Sequence, residues 1–171
     1  QAVAAATPLP VMLYNVPGRT AVDMLPATVA RLARLPRIVA IKEAVADVAR
    51  VRELVSACGA GFDVLSGDDA TARDAVLAGA RGVVSVTANV VPREMSEMLA
   101  AALAGDAARA AGLDARLAAL HERLFLEANP IPVKWVMHQM GLIGPGLRLP
   151  LTPLSERFHE RLREAMRAAG L

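Results

Sequence analysis

The fold prediction starts from the heptapeptide IVAIKEA at residues 38–44. Four consecutive apolar residues, three of them β-branched, lead directly into Lys42 without any alternation of polar and apolar side chains. A short continuous apolar run of this kind is typical of a parallel strand that is buried on both faces. We therefore predict a strand over residues 38–41, with Lys42 at its carboxyl end.

Similar apolar runs lie on both sides of this strand, at residues 11–16, 62–65 and 82–87. The intervening stretches have apolar residues at helical spacing, which predicts helices over residues 28–35, 47–58 and 69–78, with Asp47 as an N-cap. Four strand–helix units in succession indicate a parallel α/β sheet. No glycine-rich phosphate-binding loop follows any of the strands, so a nucleotide-binding doubly wound sheet is disfavoured.

The pattern then changes to consecutive helices, predicted at residues 92–104, 107–127, 132–140 and 154–169. A (β/α)8 TIM barrel has eight units and about 250 residues, whereas four units are found here. We therefore predict the C-terminal half of such a barrel in residues 1–105 and a C-terminal helical extension in residues 106–171. On this interpretation the chain is a fragment.

Composition restricts the class of protein. Hydrophobic residues make up 54% of the chain but aromatic residues only 3%, and no apolar run approaches the about 18 residues that a membrane crossing requires. The net charge is only +2 and the basic residues are scattered, which argues against nucleic-acid binding. A single cysteine, Cys58, excludes an internal disulfide and favours a reducing compartment. We expect a soluble cytoplasmic protein.

Lysine is scarce, with two lysines against 17 arginines. Arginine does not lose its proton to become a nucleophilic amine, whereas a desolvated lysine does. Lys42 follows a strand, and the carboxyl ends of the strands form the catalytic face of a barrel. The alternative is a lysine whose stem follows the strand and whose ammonium group reaches solvent.

Two further candidates lie one unit earlier. Tyr14 is the only tyrosine and ends an apolar strand; its phenol both donates and accepts hydrogen bonds, as a proton relay requires, although a structural core tyrosine is the alternative. Arg19 lies in the turn that follows and can hold a carboxylate with two hydrogen bonds, unless it is an ordinary surface arginine. Asp68 and Asp69 are expected to cap a helix, and the three histidines are too widely spaced for zinc, so no metal is predicted.

Five segments, in this order, resemble the C-terminal part of the dihydrodipicolinate synthase family and together cover essentially the whole chain: residues 14–20 (YNVPGRT), 41–44 (IKEA), 66–69 (SGDD), 82–89 (GVVSVTAN) and 129–135 (NPIPVKW). The related N-acetylneuraminate lyases and keto-deoxy sugar-acid aldolases share the tyrosine and the lysine. They usually lack an Arg-Thr pair like Arg19 and Thr20, so the resemblance favours the synthase.

The resemblance implies a class I aldolase mechanism without metal or organic cofactor. Lys42 forms a Schiff base with pyruvate, and the resulting enamine adds to L-aspartate 4-semialdehyde to give 4-hydroxy-tetrahydrodipicolinate for lysine biosynthesis. A homo-oligomer, dimeric or tetrameric, is also implied. The implied site consists of catalytic Lys42 and Tyr14, with Arg19, Thr20, Gly67 and Val84 binding the substrates.

Two other interpretations stay open at this point. One is a pyruvate-dependent lyase that acts on a sugar acid, and the other is a non-catalytic half-barrel that serves as an assembly module. A half-barrel exposes two strand edges and an apolar face. We therefore expect the chain by itself to be oligomeric. We also expect it to lack normal synthase activity, because the resemblance implies a threonine pair and a second tyrosine that complete the proton relay and hold the pyruvate carboxylate, and nothing in this chain matches them.

Overall fold

The computed structural model describes all 171 residues, which pack as two compact units. Unit 1 contains residues 1–85 and 102–105, and unit 2 contains residues 86–101 and 106–171. Residues 86–101 therefore group with the later helices. The predicted domain division after residue 105 stays a prediction.

The sheet of unit 1 has four parallel strands in the order β1-β2-β3-β4. They are β1 Val11–Asn15, β2 Ile38–Glu43, β3 Asp63–Ser66 and β4 Gly82–Val83. The four predicted strands are confirmed, and β1 and β4 form the open edges of the sheet. The predicted length of β4, to residue 87, is wrong because β3, with which it pairs, ends at Ser66, the partner of Val83.

Five helices accompany the strands: α1 Ala2–Ala5, α2 Pro17–Thr20, α3 Pro26–Leu32, α4 Val48–Cys58 and α5 Ala72–Leu77. The predicted N-cap of α4 is confirmed, since the Asp47 carboxylate accepts the N–H of Ala49 at 2.8 Å. The predicted start of α5 at residue 69 is wrong. The Asp68 carboxylate accepts both the N–H and the hydroxyl of Thr71, at 3.0 and 2.7 Å, and this turn delays the helix.

One face of β1 is open within unit 1. Ile41 is fully buried, whereas Met12 and Tyr14, on the opposite face of the sheet in the neighbouring strand β1, are 48% and 49% exposed. The prediction that the strands are buried on both faces is therefore wrong for β1. The buried apolar residues of unit 1 include Val29, Ile38, Ala40, Ile41, Val51, Leu54, Val64, Ala72, Ala75 and Val76.

The chain after β4 is helical, with α6 Pro92–Leu103, α7 Ala107–Arg123, α8 Ile131–Gln139 and α9 His159–Ala168. These correspond to the four predicted helices, although α7 ends earlier and α9 begins later than predicted. Short 3₁₀ turns lie at Thr87–Asn89 and Glu156–Phe158. None of the helices has the combined length and apolar character needed to cross a membrane. The core of unit 2 includes Val90, Val91, Met95, Met98, Leu117, Leu120, Leu124, Val136 and Leu162.

Candidate active site

The register of β1 and β2 brings Tyr14 and Lys42 together. The two residues are direct partners in the parallel pairing, so their side chains leave the same face of the sheet. The Lys42 Nζ lies 4.3 Å from the centre of the Tyr14 ring, within the range of a cation–π contact. The prediction that these two residues are neighbours is confirmed.

Gly67 makes room for the Lys42 side chain. Its N–H donates to the Glu43 carbonyl at 2.7 Å, which places it beside the end of β2. A Cβ atom added at Gly67 would lie 3.0 Å from Lys42 Cε and 2.9 Å from Ala44 Cβ, closer than packed carbon atoms tolerate. Any side chain here would therefore displace the lysine stem or the backbone of the neighbouring strand end.

Val84 lies at the end of β4, where its N–H donates to the Ser66 carbonyl at 2.8 Å and its side chain is exposed. The N–H groups of both Gly67 and Val84 are thus occupied by pairing between neighbouring strand ends. We predict that these two residues line a pyruvate pocket with backbone groups. Because their N–H groups are occupied, the groups that remain to contact pyruvate are their carbonyl oxygens.

Arg19 and Thr20 lie on α2, a single helical turn where the sequence predicted a loop. Both residues are exposed, and neither hydrogen-bonds to Tyr14 or Lys42. The Thr20 hydroxyl contacts the carbonyls of Val16 and Val22 at 3.3 and 3.0 Å. The hydroxyl of Thr20 therefore holds its own turn together, while the Arg19 guanidinium is available to a ligand.

A group of four polar residues behind the strand ends was missed by the sequence analysis. This strand-end cluster consists of Asn15, Asp23, Glu43 and Arg50. The Arg50 guanidinium binds Asp23 through two hydrogen bonds of 2.7 and 2.9 Å and donates from Nε to Glu43 at 2.9 Å. Asn15 and Glu43 are almost completely buried, at 2% and 1% exposure.

The sequence does carry one signal for this cluster. Asn15 and Glu43 each follow directly after a predicted site residue, Tyr14 and Lys42. Because successive side chains of a strand point to opposite faces, a polar residue at that position lies behind the site and needs buried partners. Asp23 and Arg50 supply those partners, but nothing in the sequence marks them.

The charges of the cluster stabilise one another. Hydrogen bonds from Arg50, and then from Asn15, hold the pKa of Asp23 below its ordinary value. Burial by itself would lower the pKa of Arg50, but hydrogen bonds to Asp23 and Glu43 outweigh that effect and raise it. Asp23 and Arg50 are therefore both ionised near neutral pH.

The polar side chains of unit 2 make structural contacts. The Lys134 Nζ donates to the Gly146 carbonyl at 3.2 Å. The Trp135 ring stacks on His159, with 4.8 Å between ring centres, and buried His121 hydrogen-bonds through Nδ1 to the Thr87 hydroxyl at 2.9 Å.

In unit 1, burial raises the pKa of the Cys58 thiol, which disfavours the reactive thiolate.

Comparison with known sequences identifies relatives along the whole chain. The profile of the "Dihydrodipicolinate synthetase family" matches residues 1–169. A 4-hydroxy-tetrahydrodipicolinate synthase of Thioalkalivibrio sulfidiphilus is 60% identical over 171 residues, 100% of this chain and 58% of the relative. The enzyme of the same name from Pseudomonas aeruginosa is 56% identical over 169 residues, 99% of this chain and 58% of the relative. The chain thus spans 58% of the length of these relatives.

Solved structures give the same result. The chloride-inhibited dihydrodipicolinate synthase of Acinetobacter baumannii, crystallised with pyruvate, superposes with a TM-score of 0.97 at 53% identity, over 99% of this chain and 58% of that one. The synthase of Aquifex aeolicus superposes with a TM-score of 0.95 at 40% identity and the same coverage. The predicted fold class, four parallel strand–helix units of a (β/α)8 barrel followed by helices, is confirmed. The chain belongs to the dihydrodipicolinate synthetase family.

Proposed function

We propose that the protein condenses pyruvate with L-aspartate 4-semialdehyde through a Schiff base on Lys42, giving 4-hydroxy-tetrahydrodipicolinate for the diaminopimelate route to lysine. It is then a lyase of the class I aldolase type. The observation that carries the proposal is the position of the Lys42 Nζ, 4.3 Å from the centre of the Tyr14 ring, in a chain of this family.

The first step is the addition of the Lys42 amine to the keto carbon of pyruvate. The carbonyl oxygen then leaves as water and a C=N bond forms between Lys42 and the substrate carbon. Both events move protons between nitrogen and oxygen. The Tyr14 phenol, which donates and accepts hydrogen bonds, relays these protons from its place beside the amine.

The imine then acts as the electron sink, so neither a metal nor an organic cofactor is required. Loss of a methyl proton gives the enamine, whose carbon adds to the aldehyde of the second substrate. The amine of that substrate attacks the imine carbon, closes the ring and releases Lys42. The Arg19 guanidinium holds the semialdehyde carboxylate through two hydrogen bonds, Thr20 maintains the turn that presents Arg19, and Gly67 and Val84 face pyruvate with their carbonyls.

The choice of second substrate is tested by turnover. We expect the chain, once extended to the full length of its relatives, to consume pyruvate in the presence of aspartate semialdehyde and to show no reaction with pyruvate and sugar aldehydes. The 171-residue chain by itself is expected to lack normal turnover. Reaction with a sugar aldehyde only would establish a sugar-acid lyase instead. Absence of any reaction, together with absence of a pyruvate adduct, would favour a non-catalytic assembly module.

We also propose that the protein acts in the cytoplasm as a homo-oligomer. Open edges at β1 and β4 and the half-exposed Met12 and Tyr14 support self-association. One similar solved structure is that of a monomeric dihydrodipicolinate synthase variant, so association differs among relatives. A monomer in light scattering would contradict the oligomer.

A further inference from the structure

The strand-end cluster joins three pieces of backbone that carry the proposed site. Asn15 and Glu43 are the last residues of β1 and β2, each directly after Tyr14 or Lys42. Asp23 and Met24 lie where the chain returns after the turn that carries Arg19. Arg50 comes from helix α4 and binds two of these pieces, the end of β2 at Glu43 and the returning chain at Asp23 and Met24.

Glu43 is surrounded by hydrogen-bond donors. Its Oε1 accepts the Val45 N–H at 2.9 Å and its Oε2 accepts the Arg50 Nε–H at 2.9 Å, while the Asn15 amide reaches both oxygens at 3.0 and 3.1 Å. Only a group that accepts at both ends satisfies these partners. A glutamine amide would place its own N–H against one of these donors, so only a carboxylate satisfies all of them.

Asn15 is equally constrained, because its side chain must both donate and accept hydrogen bonds. Its amide nitrogen donates to the Asp23 and Glu43 carboxylates, and its amide oxygen accepts the Met24 N–H at 2.9 Å. An aspartate here would set a third carboxylate against the other two. The Asn15 side chain thereby closes the loop of residues 16–23 and ties it to the end of β2.

The planar guanidinium of Arg50 donates hydrogen bonds to three different residues. Nε donates to Glu43, Nη1 to Asp23, and Nη2 to both Asp23 and the Met24 carbonyl at 2.8 Å. A lysine ammonium has the same charge but lacks the planar fork that reaches two carboxylates in fixed directions. The Arg50 side chain is 11% exposed, so water does not readily replace these contacts.

We propose that Asn15, Asp23, Glu43 and Arg50 are positioning residues: the cluster aligns Tyr14 against Lys42 and fixes the turn that presents Arg19. The inference rests on the proposed function, because it assigns the cluster to the Schiff-base step. None of the four side chains touches the substrate. They act by holding the strand ends from behind, and a misplacement of about 1 Å in an active site slows a reaction by about 100-fold.

The test compares Arg50→Lys with Arg52→Lys, an exposed arginine two residues further along α4. Each purified variant receives pyruvate and borohydride, and the rate of adduct formation at Lys42 is measured by peptide mapping at saturating pyruvate. Acetic anhydride labelling of Lys42, normalised to Lys134, is measured in parallel, since acylation does not require the Tyr14 relay. We expect Arg50→Lys to slow adduct formation by about 10-fold to 100-fold, with anhydride labelling within about twofold of the parent.

Asp23→Asn provides the test if Arg50→Lys fails to fold. Asp23 is the most exposed member, with a side chain 37% accessible, and the buried Glu43–Arg50 pair stays intact in this variant. We expect the same separation between pyruvate trapping and acylation, with a smaller decrease of roughly 3-fold to 10-fold.

Two results would overturn the inference while leaving the proposed function in place. In one, the cluster variants trap pyruvate as fast as Arg52→Lys. In the other, pyruvate trapping and anhydride labelling change together with the thermal midpoint, which would indicate a purely structural role. Absence of a Lys42 adduct in the parent protein would instead overturn the proposed function, and the inference with it.

Discussion

The two lysines of the chain occupy opposite kinds of environment. Lys42 ends a strand, with its Nζ beside the Tyr14 ring and its stem in space left open by Gly67. Lys134 lies on helix α8, and its Nζ is engaged by the Gly146 carbonyl. The neighbours of an amine, more than its residue type, therefore separate a candidate nucleophile from a structural contact.

The largest effect is expected for Lys42→Arg. Arginine keeps the positive charge but does not form an imine with pyruvate, so the borohydride-trapped adduct should fall below detection. Lys134→Arg is the matched control, and it should react like the parent because arginine still donates to the Gly146 carbonyl. Equal loss in both variants would remove the distinction between the two lysines.

Tyr14→Phe should give the next largest effect. Phenylalanine retains the ring beside Lys42 but removes the phenol, and general acid–base groups contribute about 10²-fold to 10⁴-fold to rates. We expect a decrease of about that size in the rate of imine formation at saturating pyruvate, measured by rapid borohydride quenching. An unchanged rate would show that the ring packs against Lys42 without relaying protons.

Gly67→Ala tests the space around the lysine stem. The added methyl group would meet Lys42 Cε and Ala44 Cβ at 3.0 and 2.9 Å, and the flexible lysine end is the part that moves most easily. We expect imine formation to slow by about 10-fold to 100-fold. Gly61→Ala is the control, because a methyl group there meets nothing within 4 Å. Equal rates in the two variants would contradict the assigned role of Gly67.

Asp23→Asn should have the smallest effect, visible as a change in pH dependence. The pKa of Asp23 is lowered on folding by Arg50 and Asn15, so its ionised form stabilises the folded state at pH values above about 3.9, the ordinary aspartate pKa. That contribution is lost as pH falls through the lowered value. Urea unfolding should show the parent more stable than the variant at pH 7, with the difference shrinking below about pH 3.9.

Glu53→Gln, which alters an exposed carboxylate on the same helix as Arg50, is the control for general charge effects. If Asp23→Asn and Glu53→Gln gave the same pH profile, the ion pair with Arg50 would have no measurable part in stability.

The strands and the paired site residues were predictable because their signals are local. Continuous apolar runs marked the four strands, and the residues that end two of them, Tyr14 and Lys42, became neighbours through the parallel pairing. The N-cap at Asp47 was likewise predictable, because it depends on residues adjacent in the sequence. Predictions of this kind depend on residues close in sequence or on strand order alone.

The missed features depend on distant partners. The strand-end cluster joins Asn15 to Glu43 and Asp23 to Arg50, pairs that are 28 and 27 residues apart. The length of β4 was set by where β3 ends. The exposure of Met12 and Tyr14 depended on which face the helices cover. None of these is determined by a local pattern, so each required the fold.

The most direct test is borohydride reduction of the protein in the presence of pyruvate, followed by intact mass measurement and peptide mapping. We expect one reduced pyruvate adduct per chain, on Lys42, with Lys134 unmodified. An adduct on Lys134, or no adduct on either lysine, would contradict the assignment of Lys42 as the Schiff-base residue.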